Sequence, residues 1–149
     1  KTKKKLFLIF IFLVIIALSG VSVLKYLKEK QNIKISENYI QAGILLSSKE
    51  KEESKNIYKK IVLSKNKFYS LLALNNIIEN ELEKNSNEIL KLFEVVESIT
   101  KEKDESNLIK LKKSLYLMKI SKNEEANELL NQIISSDSIW RETALELIK

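Results

Sequence analysis

Few side chains in this sequence could carry out catalysis. It contains no histidine and no cysteine, so it lacks the commonest general base, the thiol nucleophile and two common metal ligands. Two pairs of adjacent carboxylates, Glu52-Glu53 and Glu124-Glu125, remain for acid–base chemistry. One hydroxyl, on Ser114, is preceded by three lysines that could act as its base: Lys110, Lys112 and Lys113.

The positions of these residues favour structural roles. Both carboxylate pairs stand where the hydrophobic pattern begins a helix, and negative charge there complements the helix dipole. We interpret Ser114 and its lysines as a solvated helix face. The sequence has no glycine-rich phosphate loop and no calcium-loop spacing. We therefore predict that the protein is not an enzyme, with no catalytic, cofactor-binding or metal-binding residue.

The elements that carry these residues are predicted to be helices throughout. The chain of 149 residues has no proline and only two glycines, Gly20 and Gly43. Tight hairpins depend on such turn residues, so a strand-rich fold is disfavoured. Beyond the first 34 residues, 115 remain, enough for one modest domain with a core. The predicted fold class is all-α.

One stretch near the N-terminus is predicted to be a transmembrane helix. Residues 6–24, from Leu6 to Leu24, read LFLIFIFLVIIALSGVSVL and contain no charged side chain. At about 1.5 Å per residue they would span about 28 Å, close to the roughly 30 Å hydrocarbon core of a bilayer. The segment also has the parts of a cleaved secretory signal, with Ala17-Leu18-Ser19 as a cleavage site, and this alternative stays open.

The net charge of +6 comes from lysines that flank the apolar stretch. Residues 35–149 carry 18 basic and 19 acidic side chains, a net charge of −1, and lack the basic stripe of a nucleic-acid binder. The lysines in residues 1–5 favour the cytoplasmic side. We predict a cytoplasmic N-terminus at 1–5, an anchor at 6–24 that contacts lipid, a basic juxtamembrane segment at 25–34 that continues the anchor helix before loosening, and a helical domain at 35–149. The expected location is a bacterial inner membrane, crossed once, with the C-terminal domain in the periplasm.

From residue 35 onward, apolar residues recur at helical spacing and predict seven helices. The breaks between them are turns at residues 47–49, 64–66, 85–87 and 121–123, and a charged loop at residues 100–106. The last helix is expected to begin after Asp137 or Ser138. Ser86 is expected to cap the fourth helix, which begins with Glu88 in its first turn.

Three of these helices share an internal repeat of three positions. An aromatic residue or leucine stands four residues after the first position, and an apolar residue stands three residues after that. The copies are Ser54-Tyr58-Ile61, Ile89-Phe93-Val96 and Ala126-Leu130-Ile133, at offsets of 35 and 37 residues. A period near 34 residues built from two helices is typical of tetratricopeptide repeats. We predict a tetratricopeptide-like α-solenoid of about three helix pairs plus a last unpaired helix. The chain stops at Lys149 inside that helix, so a further segment or a partner is expected to cover it.

With its lysine-rich N-terminus, single anchor, basic juxtamembrane stretch and degenerate helix pairs, the chain resembles the bacterial ancillary Sec-translocon subunit family (YfgM-like). The best local match is KFYSLLALNN, residues 67–76, and the closing SIWRETALELIK, residues 138–149, is similar to the family's later repeats. The resemblance implies partners among the Sec translocon, periplasmic chaperones and secreted clients. The family lacks an invariant functional motif, so no residue-level role carries over.

Aromatic side chains are the candidates for protein binding. Trp140 is the only tryptophan, and Phe68 and Tyr69 stand at the equivalent repeat position. Aromatic residues anchor interfaces, and a helical stack offers a peptide groove. The preferred interpretation places Phe68 and Trp140 in the core between repeats and Tyr69 on the groove. The alternative function is a structural stalk or coiled coil of a membrane complex, of the divisome or ATP-synthase-stalk kind, although the turns interrupt any heptad pattern.

Overall fold

The computed structural model describes the backbone of residues 2–148 and the side chains of Lys5 and of residues 19–148. These residues form seven α-helices and no strand, which confirms the all-α prediction. The helices are α1 (Thr2–Ser47), α2 (Lys51–Leu63), α3 (Tyr69–Glu79), α4 (Ser86–Ile99), α5 (Lys103–Lys119), α6 (Asn123–Ile134) and α7 (Arg141–Leu147). The chain divides into two compact units, Lys1–Glu37 and Asn38–Lys149.

Helix α1 is the first unit's principal element and is unbroken over 46 residues. Residues 25–34 continue the helix as predicted, and the loosening expected after them does not occur. The stretch has neither glycine nor proline and consists largely of good helix formers. The predicted anchor at residues 6–24 lies largely outside the described residues, since the side chains of residues 6–18 are not among them. Within the part of the chain that is described, no helix has both the length and the apolar character needed to cross a membrane.

In the second unit, the repeat found in the sequence corresponds to buried faces. Its nine positions in α2, α4 and α6 are each at most 3% exposed: Ser54, Tyr58, Ile61, Ile89, Phe93, Val96, Ala126, Leu130 and Ile133. Helix α2 contacts both α3 and α4, α4 contacts α3 and α5, and α6 contacts α5 and α7. Each helix therefore buries its apolar face against its neighbours in the chain.

The helices α1, α3 and α5 end in the same backbone motif. Lys49, Glu81 and Ser121 follow these helices with φ of 67°, 51° and 63°. After each of them, the next N–H donates to a carbonyl five residues earlier, at 2.9 Å in all three cases: Glu50 to Leu45, Leu82 to Ile77 and Lys122 to Leu117. This is the Schellman arrangement, which usually has glycine at the left-handed position. Both glycines of the chain lie inside α1 instead, so packing must hold these three residues in a conformation that costs roughly 1–2 kcal/mol.

Three local predictions need correction. The residue that caps α4 is Asn85, whose side chain accepts a hydrogen bond from the N–H of Asn87 at 3.0 Å, and Ser86 is the first helical residue. Helix α5 begins at Lys103, inside the predicted loop, because acidic residues there suit the first turn of a helix. Ser114 is fully buried rather than solvated, and its Oγ donates to the carbonyl of Leu111 at 2.7 Å.

Candidate protein-binding surface

Four aromatic rings form a continuous run from the core to the surface of the second unit. Tyr58, which is 2% exposed, meets Tyr39 with ring centroids 5.6 Å apart. Tyr39 meets Tyr69 at 5.5 Å, and Tyr69 meets Phe68 at 5.0 Å in an edge-to-face contact. Phe68 is 66% exposed. The run therefore supports one accessible phenyl ring on a base of packed rings.

Hydrogen bonds fix the backbone and the rings of this run. The side-chain oxygen of Asn66 accepts from the N–H groups of Phe68 and Tyr69, at 3.0 and 2.9 Å. The side-chain amide of Asn76 donates to the hydroxyl of Tyr39 at 2.9 Å. The position of Phe68 is thus set by a turn before α3 and not by burial of its side chain.

The environments of Phe68 and Tyr69 are the reverse of the preferred interpretation. Phe68 is not a core residue, and Tyr69 is partly buried between Tyr39 and Phe68. The physical reason is the Asn66 turn, which places Phe68 immediately before the first helical residue of α3, outside the packed face. Leu63, the last residue of α2, is 56% exposed and adds a second apolar side chain at this end of α2.

Trp140 has a different environment although it lies 72 residues after Phe68. Its ring is partly buried against the cluster formed by Leu111, Leu130, Ile133 and Ala144. Its indole N–H donates to the carbonyl of Asp104 at 3.0 Å, and the carboxylate of Asp104 accepts from the hydroxyl of Ser138 at 2.8 Å. Trp140 is therefore held by the start of α5, and its neighbour Ile139, 73% exposed, is the accessible side chain of that connection.

Ion pairs connect the loop before Phe68 to α5. The ammonium group of Lys67 lies 3.2 Å from the carboxylate of Glu105 and 3.5 Å from that of Glu102. The hydrogen bond and charge of Glu105, with a smaller effect of Glu102, raise the pKa of Lys67 above its usual value. These exposed pairs contribute little to stability, since solvent screens them, but they orient the loop.

A second feature escaped the sequence analysis. The α3–α4 connection, residues 80–85, is twice as long as the α1–α2 and α5–α6 connections, residues 48–50 and 120–122. A cavity of about 450 Å³ lies beneath it, lined by Ile78, Tyr116 and Ile120 and by charged side chains.

Comparisons with protein-family models, with curated proteins and with solved structures find no match to this chain. Among the described residues, no three acidic side chains lie close enough together to hold a metal ion.

Proposed function

We propose that this protein is a membrane-anchored scaffold or chaperone-like adaptor that binds other proteins and catalyses no reaction. It acts near the Sec translocon of a bacterial inner membrane. Its C-terminal domain, a tetratricopeptide-like stack of helix pairs, lies in the periplasm and binds secreted clients or periplasmic chaperones. The uncharged residues 6–24 support the anchor, and the lysines in residues 1–5 support a cytoplasmic N-terminus.

The observation that supports binding most directly is Phe68. Its ring is 66% exposed, although burying such a side chain gains about 1.5–3 kcal/mol. The ring contact with Tyr69 and the turn at Asn66 already restrict it, so a partner would lose little conformational entropy on covering it. Aromatic side chains are enriched at protein interfaces, where a few buried anchors supply most of the binding energy.

Site-specific photocrosslinking in native membranes tests this proposal. A benzoylphenylalanine placed at position 68 should crosslink to a translocon component, a periplasmic chaperone or a secreted client. The same group at Asn131, an exposed residue of α6, is the matched control. Equal crosslinking at both positions, or recovery of none of these partners from position 68, would argue against the proposal.

One observation favours the alternative, a structural stalk. Helix α1 exposes Tyr26 and Ile33, seven residues apart and 64% and 55% accessible, as the seam of a coiled coil would. Because the chain has no cysteine, Ile33→Cys can report on pairing of two copies, with Gln31→Cys as the control. Rapid disulfide formation at position 33 alone would support the stalk, and slow formation at both would leave the adaptor as the better proposal.

A further inference from the structure

The cavity beneath the α3–α4 connection combines an apolar floor with converging lysines. Ile78, Tyr116 and Ile120 contribute the floor, and Lys51, Lys84 and Lys119 line the same cavity of about 450 Å³. A smaller cavity of about 220 Å³ adjoins it, because both are lined by Ile78, Tyr116 and Lys119. Together they form a groove along α3 and α5.

Positive charge in this groove is only partly compensated. Glu81 accepts a hydrogen bond from the ammonium group of Lys119 at 2.7 Å. That bond and the charge of Lys119, with further contributions from Lys51 and Lys84, lower the pKa of Glu81. Three ammonium groups therefore act on one carboxylate. Lys51 and Lys84 are exposed and have no ion-pair partner among the residues that the structure describes.

The other carboxylate lining the cavity is already engaged. Glu83 accepts from the N–H of Asn85 at 2.9 Å and from the ammonium group of Lys59 at 3.3 Å. The charge of Glu83 is therefore shared with Lys59, which leaves less of it to compensate Lys51 and Lys84. The groove thus has room for an additional negative charge, and electrostatic complementarity favours an acidic ligand.

We propose that this groove binds an acidic segment of a partner protein, with a side-chain carboxylate held by Lys51, Lys84 and Lys119 and an adjacent apolar side chain seated on Ile78, Tyr116 and Ile120. This goes beyond the proposed function, because it is a second binding site, distinct from Phe68, with a stated chemistry of ligand. A purely ionic ligand such as phosphate would make no favourable contact with the apolar floor beside the lysines. A lipid acyl chain would need a longer apolar channel, and Glu79 and Lys112 interrupt the smaller cavity.

Fluorescence anisotropy with the full chain in phosphatidylcholine nanodiscs tests the proposal. The probe is a rhodamine-labelled peptide in which glutamate alternates with leucine. Two control peptides replace glutamate by lysine or leucine by serine. We expect the first peptide to bind at least about tenfold more tightly than either control, which corresponds to about 1.4 kcal/mol, and its affinity to fall as salt is added.

The variant Lys51→Glu/Lys84→Glu should weaken binding of the glutamate–leucine peptide at least about tenfold. Lys101→Glu, a charge reversal at an exposed lysine outside the groove, should leave it unchanged. The proposal would be overturned if the double variant bound the peptide as tightly as wild type. It would also be overturned if phosphatidylglycerol nanodiscs competed for the groove and the protein showed no preference among the peptides. A Lys51→Glu/Lys84→Glu variant that loses the peptide but keeps its crosslinks from benzoylphenylalanine at position 68 would show that the two sites are separate.

Discussion

The hydroxyl of Ser54 donates a hydrogen bond to the main-chain carbonyl of Ala42 across 2.8 Å, and both residues are fully buried. The contact joins α2 to the last part of α1. Small side chains at both positions let the two helices approach closely. Ser114 lies 72 residues after Ala42, and Ala126 lies 72 residues after Ser54. Serine and alanine are therefore exchanged between the two pairs, and Ser114 and Ala126 are also fully buried.

Substitutions at Ser54 should therefore separate the hydrogen bond from the packing. Ser54→Ala should lower the free energy of unfolding by about 0.5–1.5 kcal/mol, because one buried hydrogen bond is lost. Ser54→Val should lower the free energy of unfolding by about 1–3 kcal/mol more, because the larger side chain overpacks the contact. Urea unfolding followed by circular dichroism measures both. Ser98→Ala is the control, since the exposed Ser98 bonds to the carbonyl of Val95 within its own helix, α4. A Ser54→Val variant as stable as wild type would contradict the packing argument.

A substitution at Ser121, the residue with positive φ after α5, should make the protein more stable. Ser121→Gly should raise the free energy of unfolding by about 0.5–1 kcal/mol, because glycine relieves the strain at φ 63° and loses only part of the gain to backbone entropy. Ser135→Gly is the control and should not raise the free energy of unfolding, because Ser135 ends a helix with an ordinary φ of −74°. Thermal unfolding of the two variants side by side gives the comparison, and a destabilised Ser121→Gly would mean that the turn is not strained.

Replacing Gly43, the second of the two glycines inside α1, by alanine should stabilise the protein. A Cβ at Gly43 would lie 3.7 Å from the hydroxyl oxygen of Tyr58, which is an ordinary contact distance. Gly43→Ala should raise the free energy of unfolding by about 1 kcal/mol through helix propensity. Gly43→Leu should lower it, because the longer side chain would displace Tyr58. If alanine also destabilises the protein in the same unfolding assay, close approach to Tyr58 is more restricted than the 3.7 Å contact indicates.

Stability should fall in acid through Glu83. The bond from the N–H of Asn85, followed by that from Lys59, lowers the pKa of Glu83 below its usual 4.5. A carboxylate with a depressed folded-state pKa stabilises the fold above its unfolded pKa and loses that contribution as the pH falls through the folded value. The free energy of unfolding should therefore decline below about pH 4.5. Glu83→Gln should show a shallower decline than wild type, whereas Glu128→Gln, an exposed control on α6, should keep the wild-type slope.

Helix positions and the buried repeat were predictable because they follow from periodicity along the chain. Tyr58, Phe93 and Leu130 stand four residues after a small or apolar residue, and each proves to be buried. Such a pattern reports on the face of a helix whatever its partners are. The start of α5 was missed because charged residues look like a loop until their favourable position in a first turn is considered.

The exposure of single side chains could not be predicted in the same way. Phe68 and Trp140 align in the repeat, yet a turn at Asn66 places one outside the packed face, and the carbonyl of Asp104 holds the other on a cluster. The first outcome depends on a side chain two residues before the ring, and the second on a main-chain carbonyl 36 residues earlier in the chain. The lysines of the groove are likewise brought together from α2, the α3–α4 connection and α5, which no local pattern links.

The three turns at Lys49, Glu81 and Ser121 also bear on how the domain is made. Each corner is disfavoured by its own residue and depends on packing with the helices around it. While the chain emerges from the ribosome, we expect a nascent segment to extend as one straight helix through the future corner until the following helix is long enough to fold back. The order of synthesis would then govern when each corner closes.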